Sequence, residues 1–374
     1  MHILGLSRGN IYRKTFILQG SPKASIMEKL QDLAHGDDYL AELYGELPGT
    51  LDNCYAEGTN KIYKANCKKW EKWCSRYQIN SFPAPEEHVV LFILSILQQA
   101  KSSISLQHAL YAIKWGHERQ GLNFEFSPLI KKLLEASKRI LGKPCNKKEP
   151  ITSGTIKQLV THFITENVIL SDLRDVTMFV IGFCGFLRFN EIVNIKRSDI
   201  DFQINYVTIF LEKSKTDKYK EGNKVFLAET KSKACPVKLL RQYLKLACIK
   251  CDSEEYIFRA VTRMKSKDTH KSSIKDGKLV INKIPSYELR NVNTKLSYTR
   301  CRELLFSKLN EIGIDETKFG VHSLRSGGAT QAARMQIPDR LFKKHGRWRS
   351  ENCKDGYVHE DIKEKLSVTL SLGL

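Results

Sequence analysis

Four residues in one stretch of this 374-residue sequence are of types that could do chemistry together. His322 and Arg325 lie three positions apart and share a face if a helix starts there. Trp348 follows a Gly-Arg pair, and Tyr357 comes nine residues after Trp348. A phenol is a nucleophile, while imidazole, guanidinium and indole N–H groups donate to anionic oxygens. The combination suits attack of a phenol on a phosphodiester, with cationic donors holding the non-bridging oxygens.

Further candidates lie upstream. Val176 to Leu187 is an almost uncharged run, and Arg188 follows at once in Arg188-Phe189-Asn190-Glu191. An Arg ending such a run must be paired or must reach a site. Glu191 could serve it as a simple i, i+3 ion pair. A lysine-rich turn runs from Lys213 to Asn223, between two β-like segments, and contains Lys215 in Ser-Lys-Thr-Asp.

The ordered set resembles the catalytic end of the tyrosine recombinases, the phage integrase, Cre- and Xer-like superfamily. That pattern has an Arg in R-x-x-E, a Lys on a β-turn, H-x-x-R, a His or Trp, and a nucleophilic Tyr. Here it reads Arg188 with Glu191, a turn lysine, His322 with Arg325, Trp348 and Tyr357. Trp stands where most relatives carry His. The form HSLRSGGAT…HGRWRS…YV looks closest to recombinases of eukaryotic mobile elements and genes derived from them. The resemblance spans roughly residues 60–372.

The resemblance implies roles. Arg188 and Arg325 would each contact two non-bridging oxygens, and Trp348 would donate one N–H. His322 would donate to the phosphate or take the phenolic proton, and Glu191 would orient the site from behind. Tyr357 would form a 3′-phosphotyrosyl bond, with Lys215 as general acid; Lys213 and Lys218 remain alternatives. Neither metal nor other cofactor nor ATP is called for. The implied partner is double-stranded DNA, on which monomers assemble as a tetramer, and the implied compartment is the nucleus.

Composition is consistent with this. The chain has 61 Lys+Arg against 41 Asp+Glu, a formal charge of +20, and a pI near 9.4. Such an excess favours a polyanion, nucleic acid before an anionic membrane. The longest apolar runs, Val89–Leu97 and Val176–Leu187, fall short of the ~18–20 residues of a membrane span. No secretory signal is visible at the N-terminus. The ten cysteines are scattered, and several sit in apolar helical patterns. Cys248-x-x-Cys251 has no second pair nearby, so no zinc site is expected. An intracellular, reducing compartment follows.

Residues 1–59 read as an acidic arm, poorly ordered; positions 30–60 hold seven acids and no Lys or Arg. Residues 60–141 read as four short helices. The first bears Lys64, Lys68, Lys69 and Lys72 on an outer face suited to phosphates, as are Lys213 and Lys218 in the later turn. This all-α part resembles the SAM-like core-binding domain that grips DNA in the family. Residues 142–151 form a linker with two prolines and three lysines. Residues 152–374 would be the catalytic domain, mainly α with a small β-sheet (α+β). In it, Ser171-Asp172 caps the second helix, Tyr256–Phe258 is a short strand, and 262–290 is an aperiodic surface insertion. Two competing readings are a domesticated DNA-binding descendant that no longer cuts, and a type IB topoisomerase.

Overall fold

The computed structural model describes residues 26–144, 146–212, 221–264, 269–275, 278–284 and 286–373. The chain divides into two compact units, 1–145 and 146–374. Among the described residues no helix is long and apolar enough to cross a membrane.

The first unit is helical: α1 (Ile26–Ala34), α2 (Asp38–Asp52), α3 (Glu57–Arg76), α4 (Glu86–Leu97), α5 (Ile104–Arg119) and α6 (Pro128–Ile140). Its core gathers Trp70, Phe92, Leu106, Leu110, Ile113 and Ile130. These recur at helical spacing, so α3, α4 and α5 each offer one apolar stripe. His117 closes the core from α5. Its Nε2 accepts from Ala84 N at 2.9 Å and its Nδ1 meets Ile113 O at 2.8 Å. Burial pushes its pKa below the ordinary value, which keeps the ring neutral.

The acidic arm is more ordered than its composition suggests, since residues 26–34 and 38–52 are helices. Asp37 caps α2 by accepting from the Tyr39 and Leu40 amides. Asp52 pairs with Lys64 at 2.7 Å and also with Arg119, while Tyr55 donates to Glu118 at 3.2 Å. Long-range charge pairing, invisible to composition, ties the segment to α3 and α5. Lys64, Lys68, Lys69 and Lys72 are exposed on α3.

The second unit is built on α7 (Ser153–Phe163) and α8 (Leu170–Cys184), followed by the short α9 (Phe189–Val193). Thr152 caps α7 through its side chain. Helix α8 begins at Leu170 with Ile169 as its cap, so Ser171 and Asp172 fall in its first turn rather than before it. Asp172 there accepts from Lys308 at 2.9 Å and complements the helix dipole. Apart from half-exposed Cys184, Val176 to Leu187 is buried. A helix apolar all round is a core helix.

Strands β1 (Ile200–Phe202), β2 (Tyr206–Leu211) and β3 (Asn223–Ala228) form an antiparallel sheet in that order, with Ile209 opposite Val225. Residues 213–220, with Lys213, Lys215 and Lys218, lie outside the described residues. Helix α10 (Pro236–Leu246) follows. Tyr256–Phe258 makes one bridge, Tyr256 to Lys196, instead of a strand. The expected aperiodic insertion holds β4 (Val261–Arg263) paired with β7 (Tyr287–Leu289), and β5 (Thr269–Lys275) paired with β6 (Lys278–Ile284).

Helices α11 (Tyr298–Glu311), α12 (His322–Arg334), α13 (Asp339–Gly346), α14 (Glu351–Asp355) and α15 (Ile362–Leu370) complete the unit. The end of the expected linker packs with this unit: Glu149 N donates to Lys318 O and Ile151 N to Ser323 O, at 2.9 and 3.0 Å.

Helix α12 lies unusually close to its neighbours because of Gly327-Gly328. A Cβ at Gly327 would fall 2.0 Å from Ile151 O, and one at Gly328 2.1 Å from Phe183 O. Both obstacles are backbone. Gly327→Ala is therefore expected to destabilise by roughly 1–3 kcal/mol, the usual cost of overpacking. Gly154→Ala, whose Cβ would sit 3.4 Å from Thr152 Oγ1, should be neutral or slightly stabilising. Urea midpoints of the two variants check this, and equal effects would contradict it.

Candidate active site

The end of α8 sets the site. Its cap Gly185 is followed by Phe186 with φ +47°, a left-handed backbone that non-glycine residues rarely adopt. The chain thereby turns sharply, and Arg188 emerges as the cap of α9. Glu191, one turn on, accepts from the Arg188 amide and from Arg188 Nη1, both at 2.8 Å. The local ion pair offered by R-x-x-E thus exists.

It is not the whole of it. Arg325, on the first turns of α12, is fully buried, with Nη1 3.9 Å from Glu191 Oε2. Its Nη1 donates to Phe186 O and its Nη2 to Gly346 O, the latter at 2.6 Å. Arg347, which the sequence reading passed over, donates from Nη2 to Glu191 Oε2 and to Phe186 O, both at 2.9 Å. Three guanidiniums against one carboxylate leave two positive charges in the cluster. Burial alone would raise the pKa of Glu191; Arg347, the Arg188 amide, Arg188 and Arg325 outweigh it and hold the carboxyl below its ordinary range. Burial and the neighbouring Arg188 and Arg347 push Arg325 down to about 10, so it stays charged at neutral pH.

The aromatic half of the site sits on this cationic half. The guanidinium carbon of Arg325 lies 4.8 Å from the ring centres of both Trp348 and Tyr357. The two rings are 5.6 Å apart. Trp348 is buried against Phe186 and Phe342. Gly346 has to be glycine for this, since its Cβ would fall 1.8 Å from Trp348 Cζ3. Tyr357 follows α14 directly and is half-buried; its carbonyl accepts from Thr330 of α12 at 3.4 Å. His345 Nε2 meets Cys184 O at 2.8 Å, and burial lowers its pKa, so the ring is neutral and donates there.

The fold therefore brings together Arg188, Glu191, Arg325, Trp348 and Tyr357, and adds Arg347 and His345. His322 stands exposed at the start of α12, one turn before Arg325. Among the described residues, Arg325 Nε, Arg347 Nε and Trp348 Nε1 are buried donors without a partner. A signal for Arg347 existed in HGRWRS, but Arg349 stands equally close to Trp348 and is exposed. Only packing distinguishes the two.

Glu191→Gln should cost about 3–5 kcal/mol, the range for breaking a buried pair and leaving charge uncompensated. Glu191 titrates lower in the folded chain than its ordinary 4.5. Its contribution is therefore complete above that unfolded value and is lost as pH falls through the lower folded one. The stability gap between native chain and variant, from urea titrations, should narrow below pH 4.5; a gap constant from neutral pH to pH 3 would contradict the arrangement.

The chain is 27% identical over 315 residues to an integrase/recombinase XerD homologue of Selenomonas ruminantium, covering 83% of this chain and 84% of that one. The crystal structure of the XerH site-specific recombinase bound to a palindromic difH substrate, a post-cleavage complex, superposes with TM-score 0.52. It shares 15% identity over 92% of this chain and 84% of that one. A lambda integrase dimer bound to a COC′ core site gives TM-score 0.47 at 12% identity, over 90% and 77% of the chains. Residues 149–364 match the phage integrase family. The chain belongs to that family, and it is a tyrosine recombinase.

Proposed function

We propose that the chain is a site-specific recombinase that breaks and rejoins double-stranded DNA through a 3′-phosphotyrosyl intermediate. The observation that carries this reading is the position of the Tyr357 ring against Arg325, within a cluster of net positive charge. A phosphorane carries more negative charge than the diester, so fixed cations favour it over the ground state. The Tyr357 oxygen attacks phosphorus and the bond to the 5′ oxygen breaks. That oxygen takes a proton from Lys215, or from Lys213 or Lys218 of the same turn. His322 accepts the phenolic proton or donates to the phosphate. Attack by a 5′-hydroxyl reverses the sequence and rejoins DNA, because one phosphodiester replaces another. The XerH recombinase, whose fold this chain shares, is seen bound to its difH substrate, which supports DNA as the partner. We place the tetramer, the origin in a eukaryotic mobile element, the nuclear location and the phosphate contacts of the α3 lysines in the same proposal.

One structural fact shapes the mechanism. Both terminal nitrogens of Arg325 donate to backbone carbonyls. Each terminal nitrogen thus spends one of its two hydrogens there, which leaves Nε–H and one hydrogen on each terminal nitrogen for phosphate oxygens once the buried side chain is reached. The full burial of Arg325 is the observation that favours the second reading, a DNA-binding descendant that no longer cuts.

Covalent trapping separates the two. The protein and its Tyr357→Phe variant are incubated with fragmented DNA, denatured, and the protein-linked fragments sequenced. Adducts from the native chain alone, collecting at one motif, are expected. Adducts spread evenly would indicate topoisomerase-like activity. Their absence, with salt-sensitive DNA binding retained, would favour the non-cutting descendant.

A further inference from the structure

We propose that Arg347 is a positioning residue, a clasp that seats the segment bearing Trp348 and Tyr357 on the end of α8. The inference builds on the recombinase reading above, because it concerns how that reading's nucleophile is held.

Arg347 caps α13 with φ 56° and ψ 38°. Glycine is the residue that such a left-handed cap favours. An arginine held there works against a steric preference, so its side chain must offset the strain. Its guanidinium has four acceptors. Nη1 donates to His345 O at 2.7 Å and to Gly185 O at 3.0 Å; Nη2 donates to Phe186 O and Glu191 Oε2, both at 2.9 Å. Two of the four belong to the turn after α8, and a third, Glu191, to α9. One planar group thus ties residue 347 to residues 185–191.

Both neighbours of Arg347 depend on that tie. Gly346 presents its carbonyl to Arg325 Nη2. Trp348 lies against Phe186 and beside Tyr357. If the 346–348 backbone left its left-handed turn, the carbonyl would leave Arg325 and the indole would leave Phe186. Gly346 has no slack to absorb the change, since a Cβ there already overlaps Trp348. Arg347 itself touches neither Tyr357 nor Trp348 through its guanidinium, so it acts through Arg325 and Trp348. Lysine cannot replace it: an ammonium is a point charge and does not span four acceptors in one plane.

The test uses Arg347→Gly in the full chain, because glycine keeps the left-handed backbone while removing the clasp. Arg347→Lys is the second variant. Amide hydrogen exchange without DNA should rise about tenfold over residues 348–358 in the glycine variant, with α7 and the β2–β3 strands unchanged. The rate of adduct formation at the trapped motif should fall about 100-fold, the usual effect of a misplacement near 1 Å, with DNA affinity retained. Sub-denaturing guanidinium should restore part of that rate to the glycine variant and none to a Tyr357→Phe control. Unchanged exchange at 348–358 would overturn the proposal, as would a rise across the whole of residues 146–374 or full activity of the lysine variant. If the native chain forms no adducts but the glycine variant still loosens 348–358 alone, the recombinase reading fails and the clasp stands.

Discussion

Glu191 keeps its negative charge with 3% of its surface exposed, although burial by itself pushes a carboxyl toward the neutral form. Three guanidiniums reverse that tendency, and each comes from a different part of the second unit: Arg188 from the start of α9, Arg325 from α12, Arg347 from the end of α13. The dependence is mutual. Without the carboxylate the guanidiniums would repel one another in a dry pocket; without them it would titrate upward. Other terminal N–H groups of Arg325 and Arg347 go to the Gly185, Phe186, His345 and Gly346 carbonyls. This gives the left-handed backbone of Phe186 its physical purpose, since the turn presents its carbonyl to two arginines at once.

Such a cluster needs close approach of backbone, and small residues provide it. Gly327 and Gly328 let α12 touch residue 151 and the end of α8, which carries Arg325 inward. Gly346 lets the Trp348 indole fold back over its own chain. The opposite end of α8 has a charge arrangement of its own, with Arg174 on Asp175 at 2.7 Å and Lys308 on Asp172 at 2.9 Å. The helix is thus tied at its start by the Lys308–Asp172 ion pair, at its end by donors to the Cys184, Gly185 and Phe186 carbonyls, and along its length by apolar contact.

The parts legible in the sequence were those fixed by local rules. The buried helix after Ile169 announced itself as an uncharged run, and the β2–β3 pair as β-branched residues around a polar turn. The site residues were legible as an ordered set, and five of them meet in space. The parts that were not legible depend on contacts between distant segments. Composition marked the acidic arm as poorly ordered, but Asp52 finds Lys64 and Arg119. Arg347 and Arg349 look alike on either side of Trp348, and only tertiary packing buries one of them. The commitment of Arg325 to backbone carbonyls could not be read either, because spacing says nothing about which acceptor a guanidinium will meet.

The separation of these parts along the chain orders how they come together. Arg188 and Glu191 are three residues apart and can pair as soon as both are made. Arg325 and Arg347 reach the same carboxylate only after more than a hundred further residues have been synthesised. Closing a loop of that size is slow compared with local pairing. During synthesis Arg188 therefore meets the carboxylate first, and the cluster of three guanidiniums closes only once residue 347 has been made. The cationic bed against the Tyr357 ring is thus a late product of synthesis, absent from any chain that stops short of α12 and α13.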